Sequence, residues 1–180
     1  MERNYSGAVT MTRGYLVPLD HIPTYDEIKA LETEMLKVGI EGSEYPVTHR
    51  FAHKIYSREL FMRKGMRLVG KMHKQTHFFV LLSGEVTAWT DQGMRRMKAP
   101  QIFRTEVGTK RVIAAHEDSL IATFHGTEMT NPDDVEAEVI VRKEDERQFL
   151  EDNGMLKLED NANTPQEYLE ICPLRVDRDR

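Results

Sequence analysis

The chain contains a single cysteine, Cys172, so no internal disulfide can form and a reducing cytoplasm is the expected compartment. No apolar run approaches the ~20 residues of a membrane-spanning helix. The opening stretch MERNYSGAVTMTRGYL lacks the basic patch and apolar core of a secretion signal. There is no CxxC pair, no glycine loop of the phosphate-cradling kind and no serine-centred elbow, which removes the simple redox, nucleotide and hydrolase readings. Excess positive charge is missing too. With 25 Lys and Arg against 30 Asp and Glu the net charge is −5, so a nucleic acid is not an expected partner, and neither is a membrane.

What is present suits one folded core. At 180 residues, with 39% hydrophobic and 31% charged residues, the chain is large enough for one buried interior and short for two. Residues 1–22 are punctuated by Gly7, Gly14 and Pro18 and read as irregular. Residues 24–38 read as a helix: Thr24 and Glu27 have capping-box spacing, Gly39 is placed to end it, and Ile28, Leu31, Met35 and Val38 share one face. That face is expected to pack on the outside of the main domain rather than in a dimer contact.

From residue 47 the hydrophobic period falls to two. Strands are expected at 54–62, 66–73, 77–83, 85–90, 94–98, 100–104, 110–115 and 119–125, separated by turn residues. Many short strands at close, even spacing indicate a β-sandwich or barrel. After Asn131-Pro132 the texture becomes acidic and helix-compatible over 132–150, with a further short helix expected at 164–170 behind Thr164 and Pro165 and a loose tail beyond.

The organising stretch is residues 65–85, GMRLVGKMHKQTHFFVLLSGE. Two glycines bound it, and His73 and His77 flank a short polar break before the apolar run Phe78 to Leu82. A helix would also place two histidines four apart on one face. The short aromatic and branched run, ending at Ser83-Gly84, favours strand, turn, strand instead.

This stretch resembles the first conserved motif of the cupin superfamily, the small jelly-roll barrels. Gly65, His73 and Gly84 fall on its first glycine, second histidine and last glycine, while Lys71 stands in place of the first histidine and His77 in place of the glutamate. The second motif is fainter: Gly108 matches its glycine, and Arg111 occupies the place of the fourth metal ligand. The chain is also similar to cupin-like proteins of tailed bacteriophages in its His73 to His77 segment, in Gly108-Thr109-Lys110-Arg111 and in His125.

The resemblance implies a mainly β protein: a single cupin-type jelly-roll barrel over 46–130, an N-terminal arm and helix over 1–45 packed on it, and a C-terminal helical extension over 131–180. It also implies a homodimer. With a period of two, Lys71 and His73 point together into the barrel, with His77 and Arg111 facing them. Two readings of that pocket follow. In one, His73 and His77 recruit a third ligand, His125 first and Glu59 second, to hold a divalent transition metal (Zn, Fe, Mn or Ni) with an open position. In the other, Lys71, Arg111 and the histidines form a metal-free basic pocket for an anionic small molecule. Inward histidines can also be plain hydrogen-bonded core groups, which leaves a non-catalytic binding or assembly protein. Phe79 and Trp89 are candidates to line a ligand cavity. His49, His53 and His116 read as surface, His21 as loop, and Cys172 as unreactive.

Overall fold

The computed structural model describes residues 24–37, 45–90 and 93–156. His21, Val38, Cys172 and the helix expected at 164–170 lie outside them. The described residues form helix α1 (Tyr25–Lys37), strands β1 (Val47–Ala52), β2 (Ile55–Met62), β3 (Arg67–Val69), β4 (His77–Ser83), β5 (Glu85–Thr90), β6 (Gly93–Lys98), β7 (Gln101–Thr105), β8 (Val112–Ala115) and β9 (Ser119–Gly126), and helices α2 (Pro132–Val139) and α3 (Glu146–Asp152).

The strands make two antiparallel sheets, one ordered β1-β2-β9-β4-β7 and the other β3-β8-β5-β6. With β1 set aside as an added edge, the eight remaining strands have the jelly-roll order, in which consecutive strands cross between the facing sheets except at the β5–β6 hairpin. The protein is therefore mainly β, a single jelly-roll barrel with helices outside it. Alternation fills the interior: Leu60 and Met62 from β2, Phe79 and Leu81 from β4, Val86 and Ala88 from β5, Ile113 and Ala115 from β8 and Ile121 from β9 form one cluster. Met62, Leu81 and Val86 are completely buried, each contributing about 1.5–3 kcal/mol of hydrophobic stabilisation.

Helix α1 starts as its capping box requires, with Glu27 N donating to Thr24 Oγ1 and Thr24 N to a Glu27 carboxylate oxygen. Its Ile28 and Leu31 pack on Trp89 and Val112 on the outer face of the four-stranded sheet. Among the described residues no helix is long and apolar enough to cross a membrane.

Two stretches differ from the sequence reading. The strand expected at 66–73 stops at Val69, and residues beyond Gly70 leave the ladder. The helix-compatible stretch 132–150 is two helices with a break after Val139. The break has a physical cause. Val139, Ile140 and Val141 are β-branched, and the chain there runs extended against residues 72–74: Val141 N donates to Met72 O at 2.9 Å and Lys74 N to Val139 O at 2.8 Å.

Candidate metal centre

Three elements bring His73, His77 and His125 to one end of the barrel. His77 opens β4 and faces Thr105 of β7. His125 lies near the end of β9, opposite Tyr56 of β2. The ladder between β4 and β9 pairs Phe78 with Phe124, so one further step sets His77 against His125 on the inward face. His73 comes from the irregular segment between β3 and β4. Its carbonyl accepts from Gly108 N at 3.0 Å, and a bridge to Ile140 holds its other side. The segment carrying His73 is thus clamped between the β7–β8 turn and the link from α2 to α3.

One ring nitrogen from each histidine lies within 4.8 Å of the others. Ring centroids are 4.1 Å apart for His73–His77, 5.0 Å for His73–His125 and 4.6 Å for His77–His125. His77 and His125 are buried, at 5% and 2% exposure, and His73 is partly so. Burial is the main reason that all three resist protonation. His73 is pushed down to about 2 by burial and then by the two neighbouring imidazoles, His77 to about 3 by burial and then by His125, and His125 to about 4 by burial and then by Arg58.

Three neutral imidazoles are three lone-pair donors, the form a metal needs. His125 Nδ1 is buried and, among the described residues, has no hydrogen-bond partner. A buried polar atom without a partner is costly in an ordinary core, and beside two other imidazoles it fits a cation better than a hydrogen-bond network. The Gln75 carbonyl lies 3.5 Å from His77 Nδ1, on the side that would fix the other nitrogen toward the cluster.

A cleft of about 1090 Å³ connects this cluster to the barrel interior and to the groove beside α1 and α2. Phe79 lines it just below His77, stacked on Phe103 at 5.6 Å. Arg111 reaches in from the facing sheet, its guanidinium 4.9 Å above the Phe79 ring and its Nη2 donating to Thr105 Oγ1 at 2.6 Å. Arg58, on β2 between the inward Tyr56 and Leu60, lines the same cleft.

Several residues singled out from sequence stand outside the histidine cluster. Lys71 does not share an inward face with His73. It lines the rim of the same cleft, half exposed, with its ammonium paired with Glu136 of α2, because the strand has already ended. Trp89 faces outward from β5, under α1, while Val86 and Ala88 take the inward positions. Glu59 faces outward beside Arg50, with Arg50 Nε donating to its carboxylate at 2.6 Å, and it is not part of the cluster. His53 is exposed. His49 reaches Tyr56 OH at 2.6 Å through Nδ1. His116 is half-buried rather than exposed, with Nε2 2.7 Å from Thr87 Oγ1, and burial lowers its pKa. Arg58 and Arg67 are cleft residues that the sequence reading passed over.

No family model matches the chain, and no curated protein matches it. Solved structures do. A cupin superfamily protein from Desulfitobacterium hafniense is 8% identical over 49% of this chain and 83% of its own, with a TM-score of 0.41. The Cnp3 cupin domain of Schizosaccharomyces pombe is 16% identical over 51% and 72%, with a TM-score of 0.42. The salicylate 1,2-dioxygenase of Pseudoaminobacter salicylatoxidans, solved as adducts with gentisate, is 10% identical over 54% of this chain, which spans 30% of that enzyme, with a TM-score of 0.44. The fold assignment rests on the strand order itself.

Proposed function

We propose that this chain is a cupin-like metal-binding protein whose His73, His77 and His125 hold one divalent first-row transition metal and leave positions open for a small ligand. The observation that supports the reading is the convergence of three neutral imidazoles within 4.8 Å at the mouth of a cleft. Three protein ligands with open positions are the donor count of a catalytic or ligand-exchanging centre rather than a closed structural one. An all-imidazole set favours Zn, Fe or Ni over hard cations such as Mg or Ca. A bound metal supplies Lewis acidity to whatever oxygen or nitrogen group reaches it. The protein's own contribution is to fix the rings: His77 and His125 by their place in two paired strands, and His73 by the Gly108 and Ile140 contacts.

The test is metal analysis of the purified protein after incubation with Zn, Fe(II) or Ni and removal of excess. One metal per chain is expected, with loss in His73→Ala and in His125→Ala while the circular dichroism of the barrel is kept. A wild-type protein that retains none of the three metals, or a His73→Ala protein that retains as much as wild type, overturns the reading.

A further inference from the structure

We infer that Arg58 and Arg111 anchor a carboxylate in the cleft below the three histidines, so that the small ligand of this centre is an organic acid with an apolar body. The inference rests on the metal reading above and gives the chemical class of the ligand.

Arg58 carries the argument. Its neighbours along β2 on the same face, Tyr56, Leu60 and Met62, are buried, which turns the guanidinium inward, opposite Thr123 of β9. It is half-buried, and among the described residues it makes no hydrogen bond and no ion pair. Lys110 is engaged by Glu146 and Glu32 and Lys29 by Glu146, whereas Arg67 of β3, half-buried and also lining the cleft, has a buried Nε without a hydrogen-bond partner among the described residues. A guanidinium cannot lose its proton, so one that lines a cleft with no carboxylate paired to it leaves its charge and its fork of donors open to an anionic ligand.

Among the described residues no carboxylate borne on a strand lines the cleft. Its acidic lining residues are Glu32, Asp133, Glu136 and Glu146, all on helices outside the barrel and none on a strand. The interior part is lined by Leu60, Phe79, Ile113 and Ile121, with Thr123 between. An arginine fork matches a carboxylate edge, and these apolar walls suit a flat monoanion with a hydrocarbon body better than a phosphate that needs donors on several sides. Arg111, on the facing sheet above Phe79, closes the pocket from the opposite wall.

Calorimetric titration of the full chain with benzoate, benzamide and inorganic phosphate, each with and without bound Zn, tests this. Benzoate is expected to bind the Zn-loaded protein and benzamide not to. Arg58→Gln should weaken benzoate on the order of tenfold to a hundredfold, the loss of a charge-assisted hydrogen bond, with one Zn still bound per chain. Arg111→Gln, which also faces Thr105, serves as the second variant. Equal benzoate affinity in Arg58→Gln and wild type overturns the inference even where Zn binds, and so does equal binding of benzamide. Arg58-dependent phosphate binding tighter than benzoate overturns the carboxylate assignment. Arg58-dependent benzoate binding in a protein that takes no Zn overturns the metal reading and leaves the anion site standing.

Discussion

Lys110 Nζ lies 2.8 Å from Glu146 Oε1, with both side chains only 3% exposed, and this pair ties the β7–β8 connection to α3. Lys29 and Tyr25 of α1 reach the same carboxylate, at 3.0 Å and 3.2 Å. Burial, and then the Glu146 charge, push the Tyr25 hydroxyl up to about 12. Two helices remote in sequence are thereby held to the barrel through one buried anion. A buried pair is most costly when one member is removed, because the survivor keeps its desolvation cost without its partner. Lys110→Met is expected to destabilise by about 3 kcal/mol, the low end of the usual range because Lys29 remains. The double variant Lys110→Met with Glu146→Leu should recover most of that loss. Urea denaturation measures both, and a single variant within about 0.5 kcal/mol of wild type would mean that the pair contributes nothing.

The two glycines that bound the organising segment have different jobs. Gly84, at φ +83°, joins β4 to β5 where an added Cβ would lie 2.3 Å from Ser119 Oγ and 2.4 Å from the Asp118 carbonyl oxygen. Gly65, at φ +85°, has open space around the same position. Gly65→Ala should therefore cost only the left-handed backbone term, about 1–2 kcal/mol. Gly84→Ala adds a clash with backbone and should cost at least about 3 kcal/mol or prevent folding. Chemical denaturation of the pair checks the ranking, and equal losses would argue against close approach at Gly84.

The barrel was largely legible because period two persists through most of its strands and turn residues mark the ends. His73 and His77 were legible because they flank a polar break before an apolar run, and His125 through the resemblance that sets a histidine near the last strand. Facing was harder. In β2 both alternating sets are apolar, Tyr56, Leu60 and Met62 on one side and Ile55 and Phe61 on the other. Nothing local chooses the phase, so attention fell on outward Glu59 rather than inward Arg58. Trp89 misleads for a related reason: α1 covers the outer face of its sheet, so the large ring belongs outside and Ala88 inside. Lys71 depended on a strand continuing past Gly70, where Arg111 Cγ lies 3.3 Å from the position of an added Cβ. No sequence period records that ending.

The clamp on His73 predicts a loss of metal affinity at a distance from the ligands. Val141 N–H donates to Met72 O at 2.9 Å, next to His73. Val141→Pro removes that donor and should free the segment, while His77 and His125 stay fixed in their strands. Metal affinity is expected to fall about tenfold to a hundredfold, the range found when supporting groups of a metal site are altered. Val141→Ala keeps the N–H and loses only side-chain packing, so it should bind metal nearly as wild type does. Competition titration with a chromogenic chelator separates the two, and equal losses would place the effect in packing around Met72 and Leu150 rather than in the bridge.

Protonation gives the sharpest contrast with an exposed histidine cluster. Ordinary imidazoles titrate near 6.5, so a solvent-facing triad would release protons on binding metal at pH 6. Here the three titrate at about 2, 3 and 4, so all are already neutral at pH 6. Zn binding at that pH should release no imidazole protons, and its calorimetric enthalpy should be the same in buffers of different ionisation enthalpy. The same shifts set the acid behaviour of the metal-free fold. As pH falls below about 6.5 the unfolded chain takes up protons that the folded chain refuses, so stability is full above that pH and declines toward the folded values near 4 and below. His125→Leu removes one such group and should make the acid limb shallower. An enthalpy that tracks the buffer, or an acid limb unchanged in the variant, would mean that the rings are solvated and that the buried triad is not the species that meets the metal.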